Sequence, residues 1–253
     1  MARSAVKPVI AGNWKMHKGP ESARKFCREF AQVAPGGTGR TLLIFPSALA
    51  VTTVRQALGE HGIAVGVQDI HWEREGAFTG QVSAPMAREA GAEYALVGHS
   101  ERRHVFGETD EETGRKVAAA VGAGLTPVLC VGETLEERNA GKLEEVILRQ
   151  LDAGIAGIGP DDVAAILVAY EPVWAIGTGE TATPDDAADA HGRLRSRLRE
   201  RIGEAADDVP ILYGGSVKPG NAAELLAAAD VDGVLVGGAS LDPRDFAKIA
   251  AAG

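Results

Sequence analysis

The sequence predicts an α/β fold: a closed, parallel, eight-stranded (β/α)8 barrel built as one domain over residues 1–253. Three observations carry this expectation. Eight short runs are rich in Val, Ile and Leu, and most are continuously apolar, the habit of strands buried on both faces of a parallel sheet. Segments with helix-start signals separate them. No linker or break in composition interrupts the alternation, so the units add up to one closed layer system. An open doubly wound sheet is the alternative, but it usually has fewer strands, and the sequence shows no topological switch point.

In chain order, the runs are residues 8–12, 41–45, 63–68, 94–98, 127–131, 165–170, 210–213 and 233–236. Thr109 opens a capping box with Glu112, and Thr134 repeats it with Glu137. Thr183-Pro184-Asp185-Asp186 supplies an N-cap, a proline at the first helical position and two acids favoured by the helix dipole. Asp242-Pro243-Arg244-Asp245 does the same for the last helix. Residues 185–202 carry five arginines between Arg193 and Arg201. Asp and Glu surround this run, so it reads as a mostly outward, solvated face and not as a nucleic-acid patch.

Composition narrows the function classes. Apolar residues are 45% and charged residues 24%, globular values that exclude a disordered chain. Lys plus Arg number 26 against 35 Asp plus Glu, a net charge of −9, which argues against nucleic acid or an anionic membrane as partner. Cys27 and Cys130 form neither a disulfide scaffold nor a zinc pattern. The N-terminal residues lack a signal-peptide core, and the longest uncharged run, residues 117–132, is broken by Gly122, Gly124 and Pro127. A soluble, cytoplasmic protein is expected.

The chemistry gathers just past the strands. Asn13-Trp14-Lys15 follows the first run, His99-Ser100-Glu101-Arg102-Arg103 the fourth, Glu171 the sixth, Gly214-Gly215-Ser216 the seventh and Gly237-Gly238 the eighth. A barrel brings all these ends to one mouth. Glu171 follows six apolar residues, so its carboxylate lies at the edge of a dry core, where desolvation raises a pKa toward the range of a general base. His99 and Glu101 are the only close pair of metal-type donors at the mouth, and their spacing is poor for zinc, so no metal is expected. The two glycine-rich ends suit a phosphate, because backbone amides without a Cβ in the way bind an anion. Gly177-Thr178-Gly179-Glu180-Thr181-Ala182 matches a dinucleotide fingerprint but lies six residues beyond a strand. Residues 172–182 read better as a mobile lid with an apolar tip at Ala175-Ile176.

The chain closely resembles the triosephosphate isomerase family over essentially its whole length. The resemblance rests on Gly12-Asn13-Trp14-Lys15-Met16, Gly76-Ala77-Phe78-Thr79-Gly80, Val97-Gly98-His99-Ser100-Glu101-Arg102-Arg103, Ala169-Tyr170-Glu171-Pro172-Val173-Trp174-Ala175-Ile176-Gly177-Thr178-Gly179, Tyr213-Gly214-Gly215-Ser216-Val217 and Leu235-Val236-Gly237-Gly238-Ala239-Ser240. It implies a cofactor-independent isomerase of glycolysis and gluconeogenesis, interconverting dihydroxyacetone phosphate and D-glyceraldehyde 3-phosphate through an enediol(ate). Glu171 then matches the proton-shuttling base and His99 the electrophile, an assignment that comes from the family and not from this chain's spacing. Lys15 and Asn13 match substrate contacts, and Glu101 matches a carboxylate that holds Lys15. In a protein at −9 facing an anionic substrate, Lys15 also offsets the body's own field. Gly177, Ser216, Gly237 and Gly238 match phosphate contacts through their backbones, and Cys130 matches a thiol behind the base.

The resemblance also implies a homodimer. The long loop that Asp69 opens and Ser83 closes would insert into a partner, with Thr79 near the partner's site. The family usually has Asn at Asp69, Glu at Gln81 and Lys at Glu180; Gln81 removes a carboxylate that could pair with Arg102. Two other function classes fit the residues less well. A Schiff-base aldolase on the same barrel wants a desolvated lysine, often on strand six, where this chain has Glu171. A non-catalytic scaffold predicts loss of Lys15, His99 or Glu171, and all three are present.

Overall fold

Eight strands close on themselves in sequence order, each parallel to its neighbours. They are β1 Val9–Asn13, β2 Thr41–Phe45, β3 Ile63–Val67, β4 Tyr94–Val97, β5 Thr126–Val131, β6 Leu167–Tyr170, β7 Ile211–Tyr213 and β8 Gly233–Val236. The ring is completed by β1 on β8, with Ile10 opposite Val234 and Gly12 opposite Val236. This computed structural model describes residues 6–36, 39–176 and 182–253. The closed order rules out the open doubly wound sheet.

The described helices are α1 Pro20–Val33, α2 Val51–Leu58, α3 Ala84–Glu89, α4 Ser100–His104, α5 Asp110–Gly122, α6 Leu135–Asn139, α7 Leu143–Ile155, α8 Pro160–Val163, α9 Pro184–Ile202, α10 Ala222–Leu226 and α11 Pro243–Ala251. They exceed the expected eight because some connections carry an extra short helix, such as α4, α6 and α8. Each N-cap read from the sequence is formed. Glu112 N–H donates to Thr109 Oγ1 and Thr109 N–H to Glu112 Oε2. Thr134 with Glu137 and Thr183 with Asp186 repeat the exchange, and Asp242 Oδ1 accepts from the amides of Arg244 and Asp245.

Strand side chains alternate between two cores. One set, including Ile10, Ile44, Val65 and Val97, packs outward against the helices. The other, including Val9, Ala11, Leu43, Phe45, Cys130 and Ala169, fills the barrel. Phe45 occupies the space beside Gly66, where a Cβ would come within 2.2 Å of the ring. The interior is thus a packed layer, and chemistry is confined to what stands above it.

The mostly outward arginine run holds with one exception, and one sequence expectation needs correction. Arg195 points inward from α9 and is fully buried, paired with Asp230 and Asp232 and donating to the carbonyls of Ala206 and Val209. Its neighbours in the same run, Arg193, Arg197, Arg199 and Arg201, form surface ion pairs. Ala175 is not an exposed loop tip: it closes a turn of 3-10 helix over Val173–Ala175 and is fully buried.

Candidate active site

Period-two alternation places the site. Asn13 continues the inward positions Val9 and Ala11, and Glu171 continues Leu167 and Ala169, so both stand on the barrel's top layer. Around them the layer is nearly free of side chains. Gly132 approaches so closely that a Cβ there would lie 1.8 Å from the Glu171 carbonyl oxygen, and one on Gly214 would lie 2.9 Å from Glu171 Cγ. Glycine is required at 132 because the β5 and β6 ends touch backbone to backbone. Gln150, on α7, clamps that glycine: Gly132 N–H donates to Gln150 Oε1 at 2.7 Å, and Gln150 Nε2 donates to the Gly132 carbonyl at 3.2 Å.

Glu171 faces the opening of α4. The Ser100 N–H donates to its Oε2 at 2.8 Å, and its Oε1 lies 3.0 Å from His99 Nε2. His99 is the N-cap of α4, and its Nδ1 accepts the Glu101 N–H at 3.2 Å. With Nδ1 accepting, the ring's single proton sits on Nε2, aimed at Glu171. Burial pushes the His99 pKa down; the facing Glu171 carboxylate outweighs this and raises it while the two touch. A second proton on Nδ1 would break its bond to Glu101 and meet the positive end of α4, so the ring is read as neutral. For Glu171, burial pushes upward, but the His99 contact and the Ser100 N–H outweigh it and hold the carboxyl below its ordinary value. Burial, then the nearby Glu171 charge, pushes the Cys130 thiol well up, so it stays protonated.

Lys15 stands across the mouth. Its backbone is left-handed, with φ 51°, a conformation rare for a residue with a Cβ. Two side chains hold it there: Asn13 Oδ1 accepts the Lys15 N–H at 2.9 Å, and Gln68 Nε2 donates to the Lys15 carbonyl at 2.8 Å. The ammonium pairs with Glu101 Oε1 at 2.6 Å. Beyond Lys15 a cleft of about 530 Å³ is lined by Ile176, Ser216, Lys218, Gly237 and Gly238. Asn13, Lys15, His99, Glu101, Glu171, Ser216, Gly237 and Gly238 thus stand at or just past strand ends, Glu101 in the first turn of α4; Gly177 and the rest of the expected lid through Thr181 lie outside the described residues.

The loop that Asp69 opens forms a second cleft, about 400 Å³, lined by Trp72, Phe78, Thr79 and Gln81 together with Arg102 and Phe106. Gln81 supplies no carboxylate, but Asp69 does: it pairs with Lys116 at 2.6 Å and Arg102 at 3.3 Å. Glu108 joins this cluster, accepting from Arg102, Lys116 and the Gly98 N–H.

A family model described as triosephosphate isomerase matches residues 8–253. The chain belongs to the triosephosphate isomerase family. Triosephosphate isomerase from Solibacter usitatus is 49% identical over 244 residues, 96% of this chain and 98% of that one. The triosephosphate isomerase of a Roseiflexus species is 49% identical over 243 residues, 96% of each chain. The crystal structure of triosephosphate isomerase from Bartonella henselae superposes with a TM-score of 0.88 at 41% identity, covering 98% of this chain and 99% of that one. A triosephosphate isomerase barrel is what the eight apolar runs and six motifs anticipated.

Sequence reasoning missed Gln68, Gln150 and Glu108. Gln150 left a signal: it sits within the buried stripe of α7 formed by Val146, Ile147, Leu151 and Gly154, where a polar side chain needs buried partners.

Proposed function

We propose that this chain interconverts dihydroxyacetone phosphate and D-glyceraldehyde 3-phosphate, the aldose–ketose step of glycolysis and gluconeogenesis. The observation that carries the reading is the placement of a buried carboxylate, Glu171, 3.0 Å from a neutral imidazole Nε2 at the mouth that also holds Lys15.

The chemistry is a proton moved between adjacent carbons. Glu171 takes a proton from C1 of the ketone while the electron pair of that bond passes toward the C2 carbonyl oxygen. Lys15 and the His99 Nε2–H stabilise the oxygen charge that develops. The imidazole passes its proton between the two oxygens, and Glu171 returns the carbon-bound proton to C2, giving the aldehyde. Atoms balance without any external oxidant or reductant. Substrate takes over the His99 proton and draws Glu171 off the Ser100 N–H; once freed of these two contacts, the burial that remains raises the carboxyl toward the pKa a base needs. Ser216, Gly237 and Gly238, with Gly177, hold the phosphate, and Asn13 and Glu101 position Lys15. No cofactor enters. A desolvated Schiff-base lysine finds no support, because Lys15 is ion-paired.

A coupled isomerase assay on the purified protein tests the reading, and turnover of neither triose phosphate would overturn it. We further infer a cytoplasmic homodimer. Met16, Phe78, Met86, Val105 and Phe106 are large apolar side chains left exposed on one protomer, and the partner's 69–83 loop, bringing its Thr79, would cover such a surface. Sedimentation at micromolar concentration should give twice the chain mass; a monomer would rule out the pairing.

A further inference from the structure

Charge at the mouth does not balance against the substrate. Lys15 is positive, but Glu101 neutralises it at 2.6 Å, and Glu171 adds a second negative charge. With His99 neutral, the mouth carries a net −1 on a protein already at −9. A phosphate dianion approaching it meets repulsion, strong in a site walled by low-dielectric protein.

Among the described residues, only one other charged side chain lines the phosphate-end cleft: Lys218. It is exposed, and its ammonium has no ion pair among the described residues. Its backbone is anchored. Lys218 N–H donates to Asn221 Oδ1 at 2.8 Å, Asn221 Nδ2 donates to the Ser216 carbonyl at 3.0 Å, and the Lys218 carbonyl accepts from the amides of Asn221 and Ala222. The same turn therefore holds Ser216 at the cleft and Lys218 at its rim. An ammonium with no carboxylate partner among the described residues, on an anchored backbone, restores neutrality where the anion enters.

We propose that Lys218 is a capture residue for the substrate's phosphodianion. It acts on encounter and binding and leaves the proton transfers alone. The inference rests on the phosphotriose reading above. Because the phosphate keeps its charge throughout the reaction, Lys218 attracts ground state and transition state alike, so its contribution appears in KM and kcat/KM and not in kcat.

The test compares Lys218→Gln, Lys218→Glu and Lys218→Arg with the parent, at ionic strengths from 0.02 to 0.5 M (about 20 to 4 Å of screening length). Lys7→Gln is the control: it removes the same charge beside the start of β1, at the opposite end of the barrel. At low salt, kcat/KM should fall about three- to ten-fold in Lys218→Gln and further in Lys218→Glu. The inhibition constant of inorganic phosphate should rise in parallel, and kcat should stay within two-fold. The difference from the parent should vanish at high salt, and Lys218→Arg should restore the parent's salt slope. Three results would each overturn the proposal: an unchanged salt slope, an equal effect of Lys7→Gln, or a loss in kcat as large as that in kcat/KM. Parent activity is the baseline throughout, so failure of the phosphotriose reading shows in the parent alone. Matching melting temperatures exclude a folding defect.

Discussion

The two poles of the mouth are built by different means. At one, Glu171 and His99 have side chains only 3% and 7% exposed, and burial, their mutual contact and the backbone amides of α4 together hold them. At the other, Lys15 and Glu101 are 25% and 44% exposed and are joined by an ion pair that solvent screens. The buried pole depends on position: an ångström of movement takes Glu171 off Ser100 or His99. The exposed pole depends on charge: a flexible ammonium on a strained but well-held backbone can follow a charge that moves between two oxygens. Proton transfer needs the first kind of environment, and stabilising a shifting anion needs the second.

Removing the base should break the comparison most severely. Glu171→Gln keeps size and polarity but cannot accept a proton, so kcat should drop by about 10³–10⁴-fold while KM moves only a few-fold. Retention of more than half the activity would remove Glu171 from its proposed role. Lys15→Met tests the exposed pole. It removes a charge aimed at the developing oxyanion, so kcat/KM should fall by about 10²–10³-fold, with kcat falling too. A loss confined to KM would mean that Lys15 only binds.

The remaining two predictions concern what supports the buried pole. Gln150→Leu strands the Gly132 N–H and carbonyl, both buried beneath Glu171, and should cost about 2–3 kcal/mol in denaturant unfolding. Gln150→Glu, which still accepts the N–H, should recover part of that loss and part of any loss in kcat. Glu108→Gln should cost about 2 kcal/mol at pH 7. Burial opposes the Glu108 charge, but Lys116 and Arg102 hold its carboxyl below the ordinary value. Its stabilisation is therefore full above the unfolded carboxylate range and is lost as pH falls through the lower folded value. The gap in stability between parent and Glu108→Gln should shrink on acidification below about pH 4. A constant gap would assign the effect to packing.

Most of the barrel was legible because parallel strands buried on both faces advertise themselves as continuous apolar runs. The edges were less so: the run 165–170 begins two residues before β6 does, since Ala165 and Ile166 are apolar but lie ahead of the strand pairing at Leu167. The catalytic candidates were legible one by one because each follows a strand, and a barrel's topology does the gathering. The supports were not. Gln150 reaches Gly132 across 18 residues, Gln68 reaches Lys15 across 53 and Lys116 reaches Asp69 across 47. Such pairs have no sequence period. Arg195 shows the limit of pattern reading, for its burial follows from Asp230 and Asp232, which composition places near it no more than it places any other acid.

The Phe45 ring lying across Gly66 has a consequence for traffic. With the interior plugged by it and by the neighbouring layer of buried side chains, the described residues leave no passage through the barrel, and the mouth is the doorway. Reactant and product must use that doorway in turn, so each occupies the threshold that the other needs. Because both bind the one site, each competes with the other for it, whichever way the reaction runs. The ratio of the two triose phosphates outside then decides which way the molecule works.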